Sequence, residues 1–268
     1  VAFTLAYTPL AVQQVPRGDF IVFHVVDAPN AWSDAPPNMG QFERALRRAD
    51  LVLAASQPIY DMIEETSHRA VLFENCYNSE IFAFAPLRDK SRVASYVGAV
   101  NAKKIDTSLL TQVAALHPEM HFELWGPVDQ SFAQALEQLC RSAKNVRYQG
   151  QISHTQASEV IANSVVSVLP GPSGYSVDHS LPLKLVESAA VGRPAVTTGP
   201  VPEWMMTTAR RVRNAAEFSQ AILELTQIPP EELRIVAAAV RDRYTYEARS
   251  SRLLDMFSIQ RESLRLPG

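Results

Sequence analysis

Residues 179–199, HSLPLKLVESAAVGRPAVTTG, run from a helix through a small-residue turn at Gly192 into a strand. The helix LPLKLVESAAVG reads as core apart from two residues, Lys184 and Glu187, which share one face at i and i+3. The strand RPAVTTG follows it, and a third segment, VVSVLPG, stands before the loop that leads into it. Strand, loop, helix and strand in this order predict parallel pairing with a right-handed crossover.

The same alternation extends outward in both directions. Upstream come the strand VASYVGAV, the helix KIDTSLLTQVAAL, the strand HFELWGPV, the helix SFAQALEQLCRSA, the strand NVRYQG and the helix TQASEVIANS. Together with the two strands around the opening stretch they predict a five-stranded α/β domain of Rossmann type over residues 89–245. A shorter series precedes it. FIVFHVV is an apolar run suited to a strand buried on both faces, and it ends in the polar turn DAPNAW. FERALRRAD, LVLAAS, PIYDMIEET and VLFEN continue as helix, strand, helix and strand. The stretch from Asn75 to Ser91, aromatic and without a period, reads as the connection between domains. Residues 1–88 are thus a first Rossmann-like domain with its linker, with only three strands where open sheets usually hold about four to six. That deficit predicts an incomplete N-terminal domain. Two helical stretches, PEELRIVAAAVRDRY and TYEARSSRLLDMFSIQRESL, close the chain, and residues 246–268 are expected to pack back on the N-terminal domain.

Composition narrows the function. The 268 residues are 47% hydrophobic and 20% charged, with a net charge of −3, as in a soluble globular protein. The balance gives no electrostatic case for nucleic acid, whose binders gather basic residues on one face. No run reaches the roughly 18 to 20 apolar residues of a spanning helix, and the first residues lack the pattern of a secretion signal, so the expected location is cytoplasmic. Cys76 and Cys140 have no metal-ligand spacing and read as reduced structural thiols. No metal or cofactor is expected.

Ligands of open parallel sheets bind beyond the carboxyl ends of the strands, against helix N-termini. In YVGAVNAKKID, Gly98 ends a strand and permits close backbone approach, and Lys103 and Lys104 follow where they can meet phosphate or simply face solvent. In LPGPSGYSVDHSLPLK, Ser180 suits the N-cap and Pro182 the first turn of the helix, whose free amides and dipole favour an anion. One turn along, Glu187 suits a ribose, whose adjacent hydroxyls can both donate to a carboxylate. A solvated ion pair with Lys184 is the bland alternative.

The run PLKLVESAAVGRPAVTT resembles the nucleotide-sugar signature of GT-B glycosyltransferases, the "glycosyl transferases group 1" type. There a Pro-(Leu)-Lys-x-x-Glu helix leads through small residues and Gly-Lys/Arg-Pro to the next strand. YVGAVNAKKID, LWGPV and NVRYQGQISHTQASEVIANSVVSVLP resemble its preceding pieces in order, and RADLVLAASQPIYD and FENCYNSEIF resemble the end of its N-terminal domain. The resemblance implies two Rossmann-like domains facing across a cleft. It implies a nucleoside diphosphate sugar bound mainly by the C-terminal domain, and a glycan or lipid-linked acceptor bound by the other. By it, Glu187 binds ribose; His179, Ser180, Leu183 and Lys184 lie on the donor; and Gly98, Lys103 and Lys104 approach the phosphates from the other side. Two positions depart from the pattern. Many retaining members carry an acidic residue eight positions before the helix glutamate, where this chain has His179 beside Asp178, so retention or inversion stays open. The basic residue often found after the strand glycine is Ala99.

On the acceptor side Asp27, at the end of the FIVFHVVD strand, suits a general base for an inverting transfer, or equally a turn cap. His24 in the same apolar run reads as a core histidine. Arg243, Arg249, Arg252, Arg261 and Arg265 suit peripheral contact with anionic lipid, or a solvated helix face. Rival readings are an epimerase or phosphorylase of the same fold, or a non-catalytic sugar-nucleotide or interaction module. Binding without turnover separates the last of these.

Overall fold

The computed structural model describes residues 3–16, 18–27, 29, 39–87, 92–172 and 182–263. The N-terminal half holds β1 (Phe3–Ala6), α1 (Pro9–Gln14), β2 (Phe20–Val25), α2 (Met39–Arg48), β3 (Leu51–Ala54), α3 (Gln57–Ile63) and β4 (Ala70–Leu72). Its four strands pair in parallel in the order β1-β2-β3-β4. The sheet therefore has one strand more than the three read from the sequence. FTLA is short and bounded by Tyr-Thr-Pro, so it carries little apolar pattern; Thr8 and Pro9 start α1 directly after it, the Thr8 hydroxyl accepting from the Ala11 amide.

β2 and β3 are buried on both faces, as their unbroken apolar runs require. Alternate residues feed two cores. Phe23, Val25, Val52 and Ala54 pack under α1–α3, while Phe20, Val22, Leu51 and Leu53 meet Phe73. Leu253 and Met256 cover this second core from the last helix of the chain.

The second half continues with β5 (Val93–Val97), α4 (Thr107–Leu116), β6 (His121–Trp125), α5 (Ala133–Ser142), β7 (Val146–Gly150), α6 (His154–Ala162) and β8 (Val166–Leu169). Then come α7 (Leu183–Val191), β9 (Ala195–Thr197), β10 (Ala209–Arg211), α8 (Ala215–Leu225), α9 (Pro230–Tyr244) and α10 (Tyr246–Ser263). All six strands are parallel, ordered β10-β9-β8-β5-β6-β7. Two of these elements were not read from the sequence. β10 is an edge strand, Ala-Arg-Arg, whose charges suit an edge and hide it from an apolar pattern. α8 has an ordinary signature, with Asn214 capping the Glu217 amide and Phe218, Ala221, Ile222 and Leu225 buried on one face.

The order in which the chain adds strands reverses at β5: β6 and β7 lie on one side of it, and β8, β9 and β10 on the other. This is the doubly wound order, and its switch point leaves a crevice at the carboxyl ends of β5 and β8.

The chain passes between the halves twice, at adjacent places. Tyr77 of the connection bridges Thr245, its amide donating to the Tyr244 carbonyl and its carbonyl accepting from the Tyr246 amide. From there α10 runs onto the N-terminal half. Arg249 is only 4% exposed and lies against the rings of Phe73 and Tyr244, with Glu74 3.4 Å away. Arg252 donates to the Leu72 carbonyl. The sequence places Arg249 on an exposed helix face, in solvent or against lipid; its burial against two aromatic rings corrects both readings.

Candidate functional site

A cavity of about 230 Å³ occupies the switch point. Tyr96, Gly98 and Ala99 line it from β5 and the loop beyond, with Lys103 and Lys104 further along that loop; Leu169 and Gly171 contribute from β8. Thr197 and Thr198 line it from β9, and Pro182, Leu183 and Lys184 from the start of α7. The crevice thus brings together Gly98, Lys103, Lys104, Leu183 and Lys184 of the candidate donor-site residues, with Ala99 and Pro182 beside them.

The loops are fixed by backbone and by close approach. The Tyr96 hydroxyl donates to the Ala99 carbonyl at 2.7 Å, and burial pushes that phenol well above its ordinary pKa. The Gly98 amide donates to the Trp125 carbonyl. Gly126, after β6, has φ +133°, and a Cβ there would lie 2.0 Å from the Gly98 carbonyl oxygen, so only glycine lets the two loops meet. Asp106 caps α4 through the Leu109 amide, and its own amide donates to the Pro170 carbonyl, tying the lysine loop to the end of β8. The Thr198 hydroxyl donates to the Gly171 carbonyl at 2.7 Å.

α7 begins at Leu183 with Pro182 in the N-cap position, where the sequence reading had placed Ser180. Proline supplies no capping side chain, and no other described side chain caps this helix start; the Leu185 amide closes on the Pro182 carbonyl at 3.0 Å. Ser180 and His179 lie outside the described residues. The helix ends in Gly192 at φ +79°, the left-handed cap that glycine favours.

Lys184 and Glu187 are not a solvated pair. The Glu187 carboxylate is 1% exposed and stands one hydrogen bond behind the cavity wall, its Oε2 accepting from Lys184 Nζ at 2.7 Å. Its Oε1 lies 3.3 Å from Nε2 of His154, the first residue of α6. Sequence reasoning missed His154. The Ser153–Gln156 capping box marks the start of α6, but nothing local places residue 154 beside residue 187.

Asp27 is exposed two residues past β2 in the other half and is not among the residues that line this cavity. His24, in β2, is held between the rings of Tyr7 and Phe73. Burial lowers its pKa to about 4, opposed by a hydrogen bond with the Phe73 backbone. Among the described residues no group of three or more His, Cys, Asp or Glu side chains is placed to hold a metal ion, and no helix is long and apolar enough to cross a membrane.

Solved structures share this architecture at low sequence identity. Anabaena HepE, solved in complex with UDP-glucose, superposes with a TM-score of 0.76 at 14% identity, over 96% of this chain and 78% of that one. Sucrose-phosphate synthase from Thermosynechococcus elongatus gives 0.74 at 17% identity, over 97% and 74% of the two chains. The lipopolysaccharide outer core galactosyltransferase WaaB gives 0.66 at 14% identity, over 96% and 75%. No protein of curated function matches by sequence. The family model "Glycosyl transferases group 1" matches residues 91–227, just over half of the chain and the whole of the crevice described above. The chain has the GT-B fold and belongs to the group 1 glycosyltransferases.

Proposed function

We propose that the protein transfers a sugar from a nucleoside diphosphate sugar to a glycan or lipid-linked acceptor, in the cytoplasm, during polysaccharide or glycoconjugate assembly. The observation that carries this reading is the crevice at the β5/β8 switch point. Lysines approach it from two sides, Lys103 and Lys104 on one and Lys184 on the other, and the proline-started α7 begins at its wall. A diphosphate there draws on three cations and a helix terminus. Glu187, one turn along α7, then takes the ribose hydroxyls as Lys184 turns toward phosphate. Solved relatives named as holding UDP-glucose or as transferring galactose support this donor class.

Transfer needs the acceptor oxygen to attack the anomeric carbon while the nucleoside diphosphate leaves and the hydroxyl proton passes to a base. Asp27, at the carboxyl end of β2, is the base we assign for an inverting course. The diphosphate's departure leaves negative charge on its oxygens, which the three lysines and the α7 amides offset.

The test is a panel of nucleoside diphosphate sugars in thermal shift and calorimetry. A specific donor at about 100 times its Kd adds about 2.7 kcal/mol of stability. Glu187→Ala should weaken its binding by roughly 1.5–3 kcal/mol. Binding unchanged by that substitution would remove Glu187 from the donor site. Measurable transfer that survives Asp27→Asn at full rate would remove the assigned base.

A further inference from the structure

We infer that His154 is a positioning residue for the donor's ribose, acting through Glu187; this rests on the donor site proposed above. A carboxylate as buried as Glu187 needs partners at both oxygens, because an unpaired buried charge is costly. Lys184 holds Oε2 and His154 faces Oε1. The two partners differ in what else they do. Lys184 lines the cavity, is 30% exposed, and has the reach to turn from the carboxylate to a diphosphate. The His154 side chain is 48% exposed but is not among the residues that line the cavity.

Its ring is also held independently of Glu187. Phe82, fully buried on the connection between the halves, meets the imidazole edge-on with centroids 5.0 Å apart at 64°. The Ser153–Gln156 capping box fixes the backbone that carries it. With the proton on Nε2, the ring donates to Oε1. When Lys184 leaves for phosphate, this bond is the hold that remains on the carboxylate, and it keeps Oε2 turned to accept from the ribose hydroxyls.

Calorimetry on the full chain decides the matter, with UDP and 2′,3′-dideoxy-UDP as probes, and GDP and ADP with their dideoxy forms if UDP gives no heat. If Glu187 binds ribose, the wild-type chain prefers the ribose form and Glu187→Ala abolishes that preference. His154→Leu should then weaken the ribose form roughly three- to tenfold while leaving the dideoxy form within about twofold, and His154→Gln, which can still donate, should restore most of the loss. In the Glu187→Ala background His154→Leu should have no further effect. A loss equal for both probes, or one that persists without Glu187, would show that His154 acts through its packing on Phe82 and would overturn the inference while leaving the donor site intact. A ribose preference that survives Glu187→Ala would overturn both together, as would failure of all three nucleotides to bind.

Discussion

His24 shows how a single side chain can set the acid limit of this fold. Its pKa falls from the ordinary 6.5 to about 4 because burial disfavours the charged ring, and its Nε2 has no hydrogen-bond partner. Between those values the unfolded chain binds a proton on His24 that the folded chain does not. Stability therefore falls as pH drops through that window, by about 3 kcal/mol in all. His24→Leu should flatten the dependence of denaturation free energy on pH between 6.5 and 4 by about one proton. An unchanged slope would assign the acid sensitivity elsewhere. The apolar run FIVFHVV marks His24 as a core histidine but not its ring neighbours, since Tyr7 and Phe73 reach it from separate segments. The Lys184/Glu187 pair was legible because i and i+3 geometry is local. Its burial and its third member were not, because residue 154 lies 33 positions away.

Two glycines with similar backbones separate conformational strain from collision at the level of elements. Gly126 after β6 has φ +133° and Gly150 at the end of β7 has φ +107°, both in the region that side chains avoid. A Cβ at Gly150 meets nothing within 4 Å, whereas at Gly126 it strikes the Gly98 carbonyl. Gly150→Ala should cost only the strain, about 1–3 kcal/mol. Gly126→Ala should cost more and should also weaken donor binding, because Gly98 lines the crevice. Equal losses in chemical denaturation would show that the β5 and β6 loops part easily. The elements themselves were readable wherever apolar residues keep a period, as in β2, β3, β5 and α7. β1 and β10 escaped because four- and three-residue strands at sheet edges carry too few apolar residues to show one. α8 was a reading missed despite a good signal, with its capping Asn214 and its i, i+3, i+4 and i+7 apolar face all in the sequence.

The whole molecule depends on the place where the chain crosses twice between its halves. Around the Tyr77–Thr245 bridge, Glu74 accepts from the Tyr244 hydroxyl at 2.8 Å and pairs with Arg249, Arg249 covers the Phe73 and Tyr244 rings, and Trp204 stacks on Tyr244 at 4.8 Å. Residues from the connection, from the C-terminal half and from α10 thus share one polar cluster. Burial lowers the pKa of Arg249, and Glu74 is the largest influence opposing it. Removing the carboxylate alone leaves that cation buried without a charged partner, which is costlier than removing the pair. Glu74→Gln should therefore destabilise the protein by about 3 kcal/mol, and Arg249→Met, which keeps much of the contact with both rings, by less. The double variant should lie well above the sum of the two in stability, since each change removes the reason for the other's cost. Nucleotide affinity should stay near wild type in all three, because none of these residues lines the crevice. If Arg249→Met costs as much as Glu74→Gln and the two losses add, the aromatic packing and not the buried charge pair holds the crossing together, and the ion pair is incidental.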